Sequence, residues 1–145
     1  MIFADSSAIA KLYVDEAGSS HMRKFAVLLV SALCRVETTS AIRRKARSGE
    51  INESEAEQLV RDFRADLRSK RTDGPELIAL SVSTKLLNSA ARLVTIHDLR
   101  SLDAVQLATA LAAREVDPGC DTFACYDERL ARVAALHGFT IHSPS

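Results

Sequence analysis

The chain has 145 residues, of which 47% are hydrophobic and 26% are charged, and 19 basic side chains balance 19 acidic ones. These proportions are typical of one globular domain and exclude a disordered chain, while the net charge of zero excludes a coat protein that holds nucleic acid by overall positive charge. Cys34, Cys120 and Cys125 form no C-x-x-C pair. The sequence therefore predicts neither a disulfide framework nor a zinc site, and it suits a reducing cytosol.

No apolar run approaches the roughly 18 residues that a membrane span needs. The first residues also lack the basic start and long apolar stretch of a signal peptide. No linker, repeat or low-complexity segment interrupts the chain. We therefore expect a cytoplasmic protein without membrane contact, folded as a single domain over 1–145.

Short apolar runs alternate with longer amphipathic stretches along the chain. The runs predict strands at 1–4, 27–30, 77–80, 122–126 and 139–142. Helical spacing of apolar residues predicts helices at 31–48 (with Ser31 as N-cap), 53–70, 82–95, 102–114 and 128–137. This alternation predicts an α/β fold in which a central parallel sheet of about five strands is flanked by helices. Ligands of such sheets bind at the carboxyl ends of the strands.

Two acids directly follow predicted strands. Asp5 comes after the first strand and Asp127 after the fourth, so both are expected at the carboxyl edge of the sheet. Helix capping alone would also explain either residue, since aspartate is a favoured N-cap. Asp121 begins the fourth strand instead. At about 3.3 Å per residue it would lie about 15–20 Å from Asp127, which predicts a turn residue on the opposite edge.

Two further acids lie near predicted helix starts. Glu37 shares a helix face with Leu33, Cys34 and Ala41. A carboxylate on that apolar face requires a cation or a proton, unless the helix rolls to expose it. Asp103 lies in a first helical turn, where the helix dipole alone would favour an acid.

Four carboxylates at one edge of a sheet would repel one another. Two charges 4 Å apart cost about 4 kcal/mol at an effective dielectric constant of 20. A cation would neutralise them, and a set of oxygen ligands favours Mg²⁺ or Mn²⁺. Such ions bind phosphates and polarise phosphoryl groups, so the pattern points to chemistry on a phosphodiester.

Over essentially its whole length the chain resembles the PIN-domain ribonucleases of the VapC type, the toxins of type II toxin–antitoxin modules. The segments that carry the resemblance are IFADSSA at 2–8, KLY at 11–13, residues 31–37, LRSLDAVQLA at 99–108, and residues 123–127 with Arg129 and Leu130. The resemblance implies a PIN-like three-layer sandwich. It also implies a metal-dependent endoribonuclease that leaves a 5′ phosphate and a 3′ hydroxyl.

The resemblance also implies which residues form the site. The catalytic and metal-binding acids would be Asp5, Glu37, Asp103 and Asp127, holding Mg²⁺ or Mn²⁺, with Ser6 or Ser7 in support. The stretch 114–120 is longer than is usual in the family, which leaves Asp121 as an alternative fourth acid, although the strand-end argument favours Asp127. Asp98 stands where a glycine is common, and we assign it no role.

Basic residues cluster in two places. The end of the Glu37 helix carries the candidate RNA-binding residues Arg43, Arg44, Lys45 and Arg47, for which a solvated helix face is the alternative. A second cluster comprises Arg61, Arg64, Arg68, Lys70 and Arg71. Either cluster would contact an RNA backbone through its phosphates. Aromatic residues are few, so base stacking is not expected to dominate affinity.

The resemblance further implies a VapB-type antitoxin, an RNA substrate such as a tRNA or rRNA, and a homodimer. The apolar faces at 8–14 and 53–67 are candidate parts of the antitoxin groove, with ordinary core packing as the alternative. Two other functions compete with this interpretation. One is a catalytically inactive PIN-like module that binds metal or RNA. The other is a receiver-like signalling domain, which would need a lysine after its last strand, and residues 139–145 contain none.

Overall fold

A computed structural model describes residues 1–70 and 73–144. Within these residues the strands β1 to β5 are Ile2–Ala4, Val27–Ser31, Glu76–Leu80, Thr122–Ala124 and Thr140–His142. The helices α1 to α7 are Ser6–Ala10, Ser19–Met22, Cys34–Arg47, Glu53–Arg68, Thr84–His97, Ser101–Val116 and Glu128–Leu136. The five predicted strands and five predicted helices are all present, and the short helices α1 and α2 are additional.

The strands form one parallel sheet in the order β3-β2-β1-β4-β5. The first strand lies at its centre, where Ile2 pairs with Leu28 on one side and Thr122 on the other. Strands covered on both faces read as nearly continuous apolar runs, which is the pattern of β1 and β2. The predicted α/β class, with a parallel sheet of five strands, is therefore confirmed.

Helices cover both faces of the sheet, and each face has its own apolar core. Phe3 and Phe123 stack with ring centroids 5.4 Å apart in the core beneath α5, α6 and α7. On the opposite face Tyr13 meets Phe63 edge to face at 5.4 Å, within the core formed by α1, α3 and α4. The architecture is a three-layer sandwich, as predicted. No helix in the described ranges is long and apolar enough to cross a membrane.

The apolar faces at 8–14 and 53–67 lie in this second core. Leu12, Tyr13 and Phe63 are buried there, while Leu59 and Leu67 pack against it with partial exposure. The Tyr13 hydroxyl donates to Asp66 Oδ2 at 2.7 Å, which joins the first segment to α4. Their buried members pack against each other, as core packing requires, and the role of the partly exposed members in an antitoxin groove stays a prediction.

Several predicted boundaries were off by one to three residues, and two of these errors bear on the site. Ser31 is the last residue of β2, paired with Leu80, and α3 begins only at Cys34 after the N-cap Leu33. Ser31 Oγ accepts from Leu33 N at 3.1 Å, so the hydroxyl closes the turn that precedes the helix. The fourth strand ends at Ala124, two residues earlier than predicted, because the next residues turn towards α1.

Candidate active site

A cavity of about 870 Å³ opens at the carboxyl edge of the sheet. Its walls include the four predicted acids and both predicted serines: Asp5, Glu37, Asp103, Asp127, Ser6 and Ser7. Asp5 follows β1, Asp127 precedes α7, and the other two acids lie in the first turns of α3 and α6. Asp121 precedes β4, at the far edge of the sheet, and does not line the cavity.

Asp5 is the most buried of these acids, with 4% of its surface exposed. Its Oδ1 accepts from Ser7 Oγ at 2.6 Å and from Ala8 N at 3.0 Å, and its Oδ2 accepts from Cys125 Sγ at 3.3 Å. Burial raises the pKa of Asp5 to about 6, with a further contribution from the negative charge of Glu37, although the three hydrogen bonds oppose the rise. Negative charge in this cavity is therefore costly without a cation.

Ser7 connects the ends of two neighbouring strands. Its hydroxyl donates to Asp5 Oδ1 and accepts from Tyr126 N at 3.0 Å. Tyr126 lies beyond the end of β4, and this bond gives its backbone N–H a partner on α1 instead of in the sheet. The hydroxyl thus fixes the Asp5 carboxylate relative to the segment that leads to Asp127.

Asp103 and Asp127 share one partner, Arg100. Arg100 Nε donates to Asp103 Oδ2 at 3.0 Å and Nη2 donates to Asp127 Oδ2 at 2.8 Å. The other oxygen of Asp127 caps α7 by accepting from Leu130 N at 2.9 Å. Burial raises the pKa of Asp103, and the hydrogen bond and charge of Arg100 act against that rise.

Glu37 is held by neutral donors. Its Oε1 accepts from Gln106 Nε2 at 2.7 Å and from Ser6 Oγ at 3.3 Å, and Gln106 Nε2 also donates to Ser6 Oγ at 2.9 Å. The sequence argument expected a cation or a proton here and missed Gln106. The available signal was a polar residue among apolar neighbours on α6, where Gln106 is 1% exposed.

The buried amide of Gln106 is paired through its nitrogen alone in the described part of the chain. Its Oε1 has no hydrogen-bond partner within the described residues. The donor end must face Glu37, because the reverse orientation would place the amide oxygen against a carboxylate. The orientation of Gln106 is therefore set by the acid that it holds.

The rim of the cavity on the α3 side is charged. Lys45 Nζ binds Glu16 Oε2 at 2.7 Å, and Lys11 Nζ binds Glu16 Oε1 at 3.2 Å. Burial alone would raise the pKa of Glu16, but the hydrogen bonds from Lys45 and Lys11 outweigh it and lower the pKa. Arg44 also lines the cavity and makes no ion pair with any residue in the described ranges.

The structure divides the predicted RNA-binding residues. Arg44 and Lys45 line the cavity, whereas Arg43 pairs with Glu53 at 2.6 Å and, like Arg47, does not line it. The described members of the second basic cluster also lie outside the cavity. Arg71 falls outside the described residues. The cavity wall therefore presents only a subset of the predicted basic residues.

The acids carry only oxygen ligands, which suit Mg²⁺ or Mn²⁺. They stand in two pairs: Asp5 and Glu37 face neutral donors, and Asp103 and Asp127 face Arg100. Over 1–70 and 73–144, no three aspartate, glutamate, histidine or cysteine side chains are grouped so that they could hold one metal ion. The ligand chemistry fits a divalent cation, but the present arrangement of the acids divides them between two sets of donors.

The chain is similar to known ribonucleases over most of its length. It is 31% identical over 134 residues to ribonuclease VapC45 of Mycobacterium tuberculosis (strain CDC 1551 / Oshkosh), covering 90% of this chain and 86% of the relative. It is also 31% identical over 148 residues to ribonuclease VapC46 of Mycobacterium tuberculosis (strain ATCC 25618 / H37Rv), covering 99% and 98%. No family model matches the chain.

A solved structure has the same fold. VapC20 of Mycobacterium tuberculosis, a toxin that cleaves the sarcin–ricin loop, superposes with a TM-score of 0.68, covering 99% of this chain and all of that one. The two sequences are 20% identical, so this likeness concerns the fold.

Proposed function

This chain belongs to the VapC family of PIN-domain ribonuclease toxins, and we propose that it hydrolyses RNA at its acidic cavity with the help of Mg²⁺ or Mn²⁺. The observation that carries this proposal is the meeting of Asp5, Glu37, Asp103 and Asp127 around one cavity. These acids come from four separate segments of the chain. Capping explains Asp5 and Asp127 individually, but it does not explain why the four acids share a cavity.

The donor set and its electrostatics support a divalent cation. The raised pKa of Asp5 reflects burial near a second acid, Glu37, and an added positive charge would relieve both effects. When bound, such an ion neutralises the acids and polarises the phosphoryl group. Asp5 and Glu37 would hold it, since both are already fixed in place by hydrogen bonds. Asp103 or Asp127 would orient the attacking water.

Arg44 supports binding of the RNA backbone. Its guanidinium lines the cavity without an ion pair to any described residue, whereas Lys45 and Lys11 both neutralise Glu16. A phosphate contact would therefore cost Arg44 no existing pair. Replacing Arg44 with alanine should raise KM more than it lowers kcat, and the matched Arg43→Ala variant, already paired with Glu53, should have the smaller effect.

The cleavage test uses purified protein without antitoxin and a total RNA pool. Reactions contain Mg²⁺ or Mn²⁺, or a chelator, and compare wild type with Asp103→Asn. We expect discrete cuts that require metal, carry 5′ phosphates and disappear in the variant. Equal cutting by wild type and variant, or cutting in chelator, would contradict the proposed mechanism.

Family membership implies an antitoxin partner and an RNA substrate, and we propose a VapB-type antitoxin, a homodimer and a structured target such as a tRNA or rRNA. Separate reactions with a tRNA pool and with an rRNA stem-loop distinguish the two targets. Light scattering of the isolated protein tests the dimer. The catalytic role predicts that a bound antitoxin suppresses cleavage.

A catalytically inactive binding module is the second candidate. It is favoured by one observation: Arg100 already neutralises two of the four acids, and the described residues contain no ready group of three ligands. An inactive module would bind Mn²⁺ weakly or not at all and would leave the RNA pool uncut. The cleavage experiment, together with a Mn²⁺ titration, therefore separates the two functions.

A further inference from the structure

Arg100 occupies the site in the way that a cation would. Its guanidinium bridges Asp103 Oδ2 at 3.0 Å and Asp127 Oδ2 at 2.8 Å. The side chain is 68% exposed, whereas the two aspartates are 16% and 30% exposed. In the described residues its side chain makes no other hydrogen bond, and it does not cap α6, although Arg100 is the N-cap residue.

Arg100 holds the one oxygen of Asp127 that does not cap a helix, and it holds one of the two oxygens of Asp103. Asp127 Oδ1 is committed to capping α7 through Leu130 N, which leaves Oδ2 for the cavity. Asp103 offers Oδ2 to the same guanidinium. A cation that coordinates both of these oxygens therefore competes with Arg100 for them.

Displacement would leave the core intact. The exposed stem of Arg100 can swing into solvent while the backbone stays extended at the N-cap of α6. The arginine supplies one positive charge to two carboxylates, whereas a divalent ion supplies two. Exposed ion pairs are individually weak, so the guanidinium is a competitor that a divalent ion can overcome.

We propose that Arg100 is an internal competitor for the metal: it neutralises Asp103 and Asp127 in the metal-free protein and leaves when a divalent cation binds. This inference rests on the proposed function and adds one requirement, that the ion held by Asp5 and Glu37 is also coordinated by Asp103 and Asp127. Arg100 is thus a positioning residue that sets metal affinity. Its two contacts account for the separate pairing of Asp103 and Asp127 in the cavity.

The test is a titration of the protein with Mn²⁺ in the absence of RNA. Electron paramagnetic resonance measures the concentration of free Mn²⁺ at each step. Arg100→Met should bind Mn²⁺ roughly tenfold more tightly than wild type, since two weak ion pairs no longer compete. Arg44→Met is the matched control, because it removes the same charge from the cavity wall without contacting the acids. The Mn²⁺ affinity of Arg100→Lys should fall between those of wild type and Arg100→Met. An ammonium keeps the positive charge but lacks the planar, forked set of donors with which arginine bridges the two carboxylates.

Thermal unfolding gives a second readout. In chelator Arg100→Met should melt below wild type, and Mn²⁺ should raise its melting temperature by more than it raises that of wild type. Equal Mn²⁺ affinities for Arg100→Met and Arg44→Met would overturn the inference, as would weaker binding by Arg100→Met. If Arg100→Met binds Mn²⁺ more tightly than wild type but neither protein cleaves RNA, the inference is supported and the proposed function is contradicted. No Mn²⁺ binding by any variant would overturn both.

Discussion

Gln106 Nε2 lies 2.7 Å from Glu37 Oε1 and donates a hydrogen bond to it. The same amide nitrogen donates to Ser6 Oγ at 2.9 Å, so one buried side chain on α6 connects α3 to α1. Hydrogen bonds of this kind orient acidic ligands and are often as important as the ligands themselves. The position of Glu37 in the cavity therefore depends on a residue that has no charge.

Replacing Gln106 with leucine should lower cleavage by about 10–100-fold, the usual cost of losing a residue that orients a metal ligand. Stability should change by only about 1–2 kcal/mol, because Glu37 is half-buried and water can replace the lost donor. The measurement is the initial cleavage rate at saturating metal together with urea unfolding. Thr109→Val is the control, since Thr109 is buried on the same helix and its hydroxyl bonds, among the described residues, to Val105 O alone. Equal cleavage losses in both variants would show that Gln106 acts merely through packing.

Asp5→Asn should abolish cleavage and yet stabilise the metal-free protein at about pH 7. The folded-state pKa of about 6 lies above the ordinary value of 3.8, so the folded protein binds more protons than the unfolded chain between these values. Stability is therefore lost as the pH rises through 6, by up to about 3 kcal/mol in total. Asparagine retains the oxygen that accepts from Ser7 and Ala8.

Urea unfolding in chelator measures this gain. The difference between Asp5→Asn and wild type should be largest near pH 7 and should vanish near pH 4, where the Asp5 carboxyl is protonated in the folded protein. If Asp5→Asn were less stable than wild type at both pH values, that would contradict the conclusion that the buried negative charge of Asp5 destabilises the folded protein.

Asp127→Asn should reduce cleavage by more than about 100-fold, beyond the loss expected for an outer partner of a metal ligand. Its stability should stay within about 1 kcal/mol of wild type, because asparagine also caps helices and can accept from Leu130 N. Asp121→Asn should cleave like wild type, since Asp121 is exposed at the opposite edge of the sheet. Cleavage assays on the two variants in parallel decide the identity of the fourth acid, and the reverse pattern would reassign it to Asp121.

Asp98→Gly should stabilise the protein by about 0.5–1 kcal/mol without changing cleavage. Asp98 ends α5 in the left-handed region with φ 53°, a conformation that glycine adopts at little cost. The hydrogen bond from Arg129 to the backbone oxygen of Asp98 is retained in the variant, and the 3.6 Å ion pair to the Asp98 carboxylate that is lost is exposed and contributes little. Asp98→Ala is the matched control and should destabilise the protein, because alanine has a Cβ atom and therefore keeps the steric cost of the left-handed conformation. The two melting temperatures test the prediction, and an equal shift for both variants would contradict it.

Most of the fold could be predicted from the sequence, because strands that are buried on both faces appear in it as continuous apolar runs. It failed for α1 and α2, which are too short to show helical periodicity. It also failed at Ser31, whose chemistry suits a cap but whose backbone pairs in the sheet. Local preference gave way there to pairing with a strand some 50 residues later in the chain.

Asp5 and Asp127 could be located from the sequence because parallel strands bring their carboxyl ends to one edge, whereas Glu37 and Asp103 were placed by their positions near helix starts and by the family resemblance. Capping and cavity roles proved compatible, since each of Asp5 and Asp127 caps with Oδ1 and offers Oδ2 to another partner. The residues that hydrogen-bond to these acids could not be identified from the sequence. Gln106 is 69 residues from Glu37, and nothing local to either residue specifies the contact.

The central position of β1 has a consequence for how the protein is made. Asp5 is synthesised well before β4, but its backbone N–H donates to Ala124 O at 3.1 Å, and its strand is flanked by β4 in the sheet. Asp127 follows later still. A nascent chain on the ribosome therefore lacks an intact site until β4 and Asp127 have emerged, and a product truncated before β4 should not cleave RNA.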